Sequence, residues 1–189
     1  MESYLDGRMT LMRAFISGEE AAEYFVRLRD KINWLSLGHD NRGGRVSHPR
    51  LTAAYGERAY DYAGLKLKPE PWSDFLLELK AGAESSARER FNSVLMQFYR
   101  HGEDRVNWHS DNDPCVGRNP VIASLSFGAP ARFQLRRKDD YADRLELELR
   151  EGDLLVMGGD LQHTHDHRVP REPGRGPRIN LTFRRIIDA

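Results

Sequence analysis

The sequence predicts a mixed α/β fold, mainly β, in which N-terminal helices pack on one sheet of a double-sheet β barrel or jelly roll. Two observations predict it. Apolar residues recur at three- and four-residue spacing within the first 90 residues, whereas short apolar–polar alternation prevails from Asn92 onward. Helices followed by several short strands are typical of a two-layer β core that helices cover. A chain of 189 residues suits one domain with a hydrophobic core.

Periodicity and turn residues locate the individual elements. Segment 19–34 predicts an amphipathic helix, and segment 71–83 predicts a second one, with Pro, Ser and Asp near its start and Gly82 near its end. Segment 41–48 is rich in Gly and Arg, which favours an exposed loop or hairpin. Period-two alternation predicts strands at 92–99, 121–127, 131–137, 144–150, 153–157 and 178–186.

Composition restricts the partners and the compartment. The chain has 29 basic and 29 acidic residues, so it is not a broadly basic nucleic-acid binder, although a local basic face is compatible with zero net charge. No apolar run reaches the roughly 18–20 residues that span a bilayer, so no membrane partner is expected. The single cysteine, Cys115, and the polar, acidic first ten residues favour a cytoplasmic protein.

Alternating histidines and a carboxylate suggest a metal site. His109 and Asp111 are two residues apart, and at the end of a strand such residues point to the same side. A second histidine would complete a two-His, one-carboxylate triad, which is typical of non-haem Fe(II) oxygenases. His163, His165 and His167 are the candidates, and in one strand all three would face the same way. Spacing alone does not choose among them, and a solvated, His-rich edge is the alternative.

A polar row in segment 178–186 suggests an anion site. In a strand, four polar side chains share one face, namely Arg178, Asn180, Thr182 and Arg184. Burying them is costly unless an anion pairs with them, and a dicarboxylic cosubstrate would fit. The alternative is a C-terminal edge strand whose polar face is solvated.

Six segments carry a family resemblance, and they occur in the family's order. They are PRLTAAYG (49–56), YDYAG (60–64), FNSVLMQFYRHGEDRVNWHSDND (91–113), IASLSFGAPARFQLRRKD (122–139), GDLLVMGGDLQHTHDHRVP (152–170) and PRINLTFRRI (177–186). Together they resemble the AlkB family of Fe(II)- and 2-oxoglutarate-dependent nucleic-acid dealkylases, closest to the branch of the human DNA and RNA repair homologues. The resemblance implies a single domain, 1–189, with N-terminal helices and a nucleotide-recognition lid in 1–90 and a double-stranded β-helix catalytic core in 91–189.

The resemblance also implies the ligands of the metal and of the cosubstrate. His109, Asp111 and His167 match the Fe(II) ligands, with His167 in the family's H-x-V-P element. His165 replaces a common aromatic residue and would either compete as a ligand or pack beside the metal. The implied 2-oxoglutarate site consists of Gln97, Tyr99, Arg178, Asn180, Thr182 and Arg184. Gln97 departs from the family, since many relatives have Asn at this position.

For the substrate, the resemblance implies a base between aromatic and acidic residues. Tyr60 and Tyr62 match an aromatic element of the family, in which Tyr62 would stack on one face of the base and His109 on the other, and Asp113 would contact its exocyclic amine. Arg42, Arg45 and Arg50 would contact the nucleic-acid backbone, and a further cationic run (Arg136, Arg137 and Lys138) is a second candidate. Segment 41–48 holds no Phe or Tyr wedge, which argues against active opening of a duplex.

The function implied is oxidative demethylation of N-alkylated bases, of the 1-methyladenine or 3-methylcytosine type, in DNA or RNA. It would use Fe(II), 2-oxoglutarate and O2, release formaldehyde, succinate and CO2, and act as a monomer. One alternative is an oxygenase of the same fold that acts on a small molecule or a protein side chain. Another is a non-catalytic β-barrel binding module with a vestigial metal site.

Overall fold

The computed structural model describes residues 1–41, 44–62 and 65–187, without the side chains of 39–41, 44–46, 60–62 and 65–66. Its helices are α1 Gly18–Lys31, α2 Asp74–Ala87 and the short α3 Leu161–Thr164. Its strands are β1 Glu2–Tyr4, β2 Met9–Met12, β3 Gly38–Asn41, β4 Gly44–Ser47, β5 Leu51–Gly56, β6 Tyr60–Tyr62, β7 Leu65–Leu67, β8 Ser93–Tyr99, β9 Val106–His109, β10 Ile122–Gly128, β11 Ala131–Arg137, β12 Arg144–Leu149, β13 Leu154–Met157, β14 His165–Val169 and β15 Arg178–Arg184.

Helix α1 begins where its sequence caps it. The Ser17 side chain accepts a hydrogen bond from the backbone N–H of Glu20 at 3.3 Å, and acidic residues in the first turn favour the positive end of the helix dipole. The helix ends at Lys31 rather than at residue 34, because the backbone of Ile32 turns extended and its side chain is buried. The predicted helix is therefore confirmed, but it ends earlier than the predicted segment 19–34.

Helix α2 is displaced along the chain from its predicted range. It begins after Ser73 and continues to Ala87, where Arg88 takes the left-handed conformation that ends it. Gly82 does not end the helix, contrary to the prediction. A Cβ at this position would lie 3.3 Å from the ring of Phe15, so Gly82 allows close packing of the helix instead.

The strands form two facing antiparallel sheets and two hairpins. The larger sheet has the order β1-β2-β13-β10-β15-β8-β5, and the smaller sheet has the order β12-β11-β14-β9. The hairpins pair β3 with β4 and β6 with β7, which confirms the hairpin expected near 41–48. The predicted jelly-roll fold is confirmed.

Three strands of the larger sheet come from the first 90 residues and were not predicted. β1 and β2 extend one edge of this sheet, and β5 forms the other edge beside β8. β1 and β2 have only three and four residues, which gives little periodic signal, and the six residues of β5 show no apolar–polar alternation. The sheet therefore crosses the predicted division at residue 90.

Two apolar clusters hold the layers together. One lies between the helices and the larger sheet, where Ile179, Leu181 and Phe183 of β15 contact α1 and α2 through a shared core. The other lies between the sheets and includes Phe133, Leu147 and Leu155. The odd-numbered residues of β15 thus face the helices, and the even-numbered residues face the smaller sheet. Within the described ranges, no helix has the length and hydropathy needed to cross a bilayer.

Candidate metal and dicarboxylate site

The two sheets bring the predicted metal ligands together. β14 pairs with β9 so that His167 lies opposite His109, and their ring centroids are 4.3 Å apart. Asp111 follows β9 by two residues and faces the same space. One ligand atom from each of His109, Asp111 and His167 lies within 4.8 Å of the other two. Two imidazoles and one carboxylate at this spacing suit a divalent transition metal.

Hydrogen bonding fixes the orientation of His109. Its Nδ1 is 2.8 Å from the carbonyl oxygen of Asn107, which requires the proton to be on Nδ1. In the neutral ring Nε2 is then the nitrogen with the lone pair, and it lies 3.9 Å from Oδ1 of Asp111. A backbone carbonyl thus selects the tautomer that presents a lone pair to a metal.

Asp111 is held as a carboxylate. Burial raises the pKa of Asp111, but the charge of Arg184, the neighbouring histidines and the hydrogen bond from Arg184 together outweigh burial and hold the pKa well below its usual range. Arg184 Nη2 donates to Oδ2 of Asp111 at 2.6 Å. The backbone N–H of Asp111 also donates to Oε1 of the buried Gln162 at 2.9 Å.

His167 is held neutral, which is the protonation state that binds metal. Burial, together with the nearby His109, lowers the pKa of His167 to about 3. The ring of Phe133 covers it, with centroids 5.4 Å apart. The site thus offers the neutral imidazole of His167 beside the ionised carboxylate of Asp111.

The other two histidines lie elsewhere, so the expectation that all three share a strand face is wrong. His163 belongs to α3 rather than to a strand, and its Nε2 contacts the carbonyl oxygen of Arg118. His165 is buried in β14, and its Nδ1 lies 2.9 Å from Oγ1 of Thr164. Among the described residues, neither belongs to a group that could hold a metal.

The polar row of β15 lies inside the barrel. β15 is a central strand between β10 and β8, so the alternative of a solvated edge strand is wrong. Arg178, Asn180 and Arg184 are buried, and Thr182 is half-buried. All four line one cavity with Gln97, Tyr99 and the three candidate metal ligands.

Arg178 has donors available for an anion. Its side chain is 1% exposed, and Nη2 donates to Oγ of Ser126 at 2.9 Å. Its Nε and Nη1 are buried without a hydrogen-bond partner in the structure. Burial lowers the pKa of Arg178 to about 10, so the guanidinium stays charged at neutral pH. Because a buried cation with two open donors is costly, this end of the cavity fits a carboxylate.

The remaining polar residues of the cavity are held in place by hydrogen bonds, most of them to one another. The Tyr99 hydroxyl donates to Oε1 of Gln97 at 2.6 Å. The amide of Gln97, which is one methylene longer than the Asn of many relatives, therefore contacts the tyrosine. Asn180 Nδ2 donates to Oγ of Ser124 at 2.8 Å, and Thr182 Oγ1 donates to Oδ1 of Asn180 at 3.0 Å. Apolar side chains complete the wall, namely Leu95, Val106, Phe133, Met157 and Val169.

The predicted base-contacting residues are only partly described. Tyr60 and Tyr62 form the ends of β6, and their side chains lie outside the described part of the structure. Asp113 is exposed two residues beyond Asp111, and its carbonyl accepts from Val116 in a short turn. The structure thus places one of the three beside the metal site and leaves all three roles as predictions.

The predicted backbone contacts need one correction. Arg42 lies outside the described residues, as does the side chain of Arg45 in β4. Arg50 is described, but it is 6% exposed and its Nη1 donates to the carbonyl oxygen of Arg105 at 2.8 Å. Burial on a backbone acceptor removes Arg50 from the surface that a phosphate reaches, so its predicted role is wrong.

The three side chains of the second cationic run, residues 136–138, already form hydrogen bonds or ion pairs within the protein. Arg136 bonds Asp166 at 3.0 Å and stacks on the rings of Trp108 and Tyr141, and Arg137 bonds Asp139. Lys138 Nζ donates to the carbonyl oxygen of Gln162 at 2.8 Å. Binding phosphate here would require breaking these contacts.

Sequence reasoning missed two residues that support the metal ligands. Gln162 accepts from the backbone of Asp111, as described above. Ser110 Oγ donates to the carbonyl oxygen of His165 at 3.2 Å and to Oδ1 of Asp166 at 3.1 Å. These bonds tie the loop that carries Asp111 to the segment that carries His167. No spacing marks them in the sequence, because they depend on which backbone atoms the fold brings together.

Comparison with known proteins agrees with this geometry. The sequence model of a family described as the 2OG-Fe(II) oxygenase superfamily matches residues 8–184. The alpha-ketoglutarate-dependent dioxygenase alkB homolog 3 of Bos taurus is 40% identical over 189 residues, which cover 95% of this chain and 66% of the relative. The DNA oxidative demethylase ALKBH2 of Homo sapiens is 31% identical over 193 residues, which cover 97% of this chain and 71% of the relative.

A solved structure described as "The structure of OsALKBH1" shares the fold. Its TM-score is 0.69 at 20% identity, and the match covers 97% of this chain and 100% of that one. The chain belongs to the AlkB family of 2OG-Fe(II) oxygenases, which confirms the resemblance seen in the sequence. It spans about two thirds of the length of the alkB homolog 3 proteins that it matches. Membership implies Fe(II), with 2-oxoglutarate and O2 as cosubstrates, and the donor set and the open donors of Arg178 fit them.

Proposed function

We propose that this protein demethylates N-alkylated bases of the 1-methyladenine or 3-methylcytosine type in DNA or RNA. The reaction would consume 2-oxoglutarate and O2 and release formaldehyde, succinate and CO2. One observation carries the proposal: a His-Asp-His cluster and a buried arginine with open donors line the same cavity. The names of relatives, a dioxygenase and a DNA oxidative demethylase, support this chemistry.

His109, Asp111 and His167 would hold Fe(II). With 2-oxoglutarate and O2, the bound iron would supply the oxidation of the N-methyl group. Arg178 would bind the distal carboxylate of 2-oxoglutarate through its open Nε and Nη1, and Tyr99 and Gln97 would order that end of the cavity. Arg184 keeps Asp111 ionised through its 2.6 Å contact. The hydrogen bond from Thr182 to Asn180 would hold these two side chains in place beside the metal ligands and the cosubstrate.

The substrate base would lie at the exposed side of the metal ligands. His109 keeps 34% of its side chain exposed, whereas Asp111 and His167 are buried. Tyr62, beside Tyr60, would stack on one face of the base and His109 on the other, and Asp113 would favour a methylated base because such a base carries positive charge. Arg42 and Arg45 remain the proposed contacts of the nucleic-acid backbone.

We also propose a monomeric, cytoplasmic protein. Cys115 is the single cysteine of the sequence, so an internal disulfide is excluded, which suits a reducing compartment. Size-exclusion chromatography with light scattering tests the first part, and cell fractionation tests the second.

The test of function is a panel of methylated oligonucleotides. 1-Methyladenine and 3-methylcytosine are placed in matched single- and double-stranded DNA and RNA, and formaldehyde release is measured with excess Fe(II) and 2-oxoglutarate. Release that the Asp111→Ala variant abolishes is the expected result. Succinate formation without formaldehyde from any oligonucleotide would favour the small-molecule or protein-side-chain alternative. Absence of succinate would favour the non-catalytic module.

A further inference from the structure

A second buried arginine lies beside the proposed cosubstrate site, outside the polar row of β15. Arg175 belongs to the loop that joins β14 to β15, and its side chain is only 4% exposed. Its Nη1 donates to Oε2 of Glu172 at 2.7 Å, and its Nη2 donates to the carbonyl oxygen of Asp104 at 2.9 Å. Its Nε is buried without a hydrogen-bond partner in the structure. The loop between β14 and β15 thus places a guanidinium in the interior of the protein.

Arg175 and Arg178 share one aromatic ring. The guanidinium carbon of Arg175 is 5.6 Å from the ring centroid of Tyr99, and that of Arg178 is 5.4 Å from it. Tyr99 is fully buried and lines the cavity next to Arg178. Cations this close to an aromatic ring are attracted to it, so Arg175 restrains the tyrosine that orders Gln97.

The charges around this ring leave a positive excess. Glu172 bonds Arg175 and also the more exposed Arg132. The carboxylate of Asp104 is bonded by Arg100, so it is already neutralised. Glu172 is thus shared between two guanidiniums, and Arg178 forms no ion pair among the described residues, so a carboxylate that enters beside Arg178 would offset the excess positive charge.

The loop holds Arg175 in place without help from a ligand. The backbone N–H of Glu172 donates to the carbonyl oxygen of Gly102 at 2.8 Å, and that of Arg175 donates to the carbonyl oxygen of Glu172 at 3.0 Å. A Cβ on Gly102 would lie 1.7 Å from the carbonyl oxygen of Glu172, so the two segments pack at backbone contact. The guanidinium is therefore preorganised.

We propose that Arg175 is a positioning residue for the distal carboxylate of the dicarboxylic cosubstrate. It acts through the ring of Tyr99 and through its charge near Arg178, and it makes the cavity prefer 2-oxo acids that carry a second carboxylate. This inference rests on the proposed function. It adds a selectivity element to the cosubstrate site from a loop rather than from a barrel strand.

The test compares two 2-oxo acids in binding and in turnover. 2-Oxoglutarate or 2-oxopentanoate, which lacks the distal carboxylate, is titrated into Fe(II)-loaded protein without O2, and the visible absorbance of the complex is followed. Arg175→Met should weaken 2-oxoglutarate about tenfold and leave 2-oxopentanoate within about twofold. The KM for 2-oxoglutarate should rise by a similar factor, with kcat at saturating cosubstrate nearly unchanged.

Two further variants separate charge from folding. Arg175→Lys keeps the charge but not the paired hydrogen bonds, so an intermediate affinity for 2-oxoglutarate is expected. Arg171→Met removes an exposed arginine of the same loop, one that pairs with Glu103, and should behave like the unaltered protein. Unchanged 2-oxoglutarate binding in Arg175→Met, or equal weakening of both acids, would overturn this proposal alone. Failure of the unaltered protein to bind 2-oxoglutarate would overturn the proposed function as well.

Discussion

At the scale of single residues, the candidate metal site depends on side chains that hold the ligands in one protonation state and one orientation. Arg184 keeps Asp111 charged, and Asn107 selects the tautomer of His109. Gln162 accepts from the backbone of Asp111, although in the sequence it is only a glutamine that precedes His163. These contacts can be tested one at a time.

Replacing Gln162 with Leu should weaken metal binding about 10–100-fold, because the buried N–H of Asp111 loses its acceptor. Gln162→Glu keeps an acceptor oxygen and should bind metal more tightly than Gln162→Leu. Mn(II) affinity in the absence of cosubstrate is the measurement. Gln134→Leu is the matched control, because Gln134 bonds Arg168 on the outer face of the smaller sheet. Equal Mn(II) affinity in Gln162→Leu and the unaltered protein contradicts the role.

His167 should make the metal-free protein sensitive to acid. Histidine in an unfolded chain titrates near pH ~6.5, whereas burial lowers the pKa of His167 to about 3. Between these values the unfolded state binds more protons, so the free energy of unfolding falls as pH falls, by up to about 1.4 kcal/mol per pH unit.

Urea unfolding between pH 7 and 4.5, with a chelator present, measures this dependence. His167→Gln should remove its part of the slope, whereas His163→Gln, which changes an exposed residue, should not. The pKa of His165 is also lowered by burial, so some dependence on pH should persist in both variants. An unchanged slope in His167→Gln would show that His167 is protonated in the fold.

At the scale of helices and strands, the two helix starts differ in a way that is not visible in the sequence. Both begin after a serine, but only Ser17 makes a capping hydrogen bond. The side-chain oxygen of Ser73 is buried without a hydrogen-bond partner in the structure.

Ser17→Ala should therefore lower the free energy of unfolding by about 1 kcal/mol, because α1 loses its cap. Ser73→Ala should be neutral or slightly stabilising, because it removes an unsatisfied buried hydroxyl. Chemical denaturation of the two variants is the comparison. Equal losses of unfolding free energy in the two variants would mean that the capping hydrogen bond of Ser17 does not stabilise the protein.

Local pattern explains which elements could be predicted. β11 has the predicted bounds, and the two faces of β15 were assigned from alternation alone. β1, β2 and β5 were missed, because their positions depend on pairing with strands far along the chain. The short helix α3, which contains His163 and separates it from the strand of His165 and His167, was missed too, because four residues are too few to show a helical period. Strand alternation indicated the pair of His109 and Asp111 and the arginine row, and the family resemblance chose His167, whereas Gln162 and Arg175 act through loops and backbone atoms.

At the scale of the whole molecule, zero net charge and the pairing of many arginines restrict nucleic-acid binding. Of the predicted phosphate contacts, Arg50, Arg136 and Arg137 already bond groups of the protein, so fewer of these cations are available for phosphates. The logarithm of the affinity should fall with the logarithm of salt concentration at a slope between about −1 and −3. Fluorescence anisotropy with a labelled oligonucleotide between 50 and 200 mM salt, as in typical assays, measures it. A slope steeper than about −5 would reveal a larger basic surface.

The placement of the ligands on different sheets has a mechanical consequence. His109 and His167 belong to the smaller sheet, whereas Arg178 and Arg184 belong to the larger one. A molecule held by the metal at one end and by Arg178 at the other would act as a non-covalent cross-link between the two layers. Cosubstrate occupancy would then be coupled to the separation of the sheets, so the protein would resist opening most strongly when it is loaded for reaction.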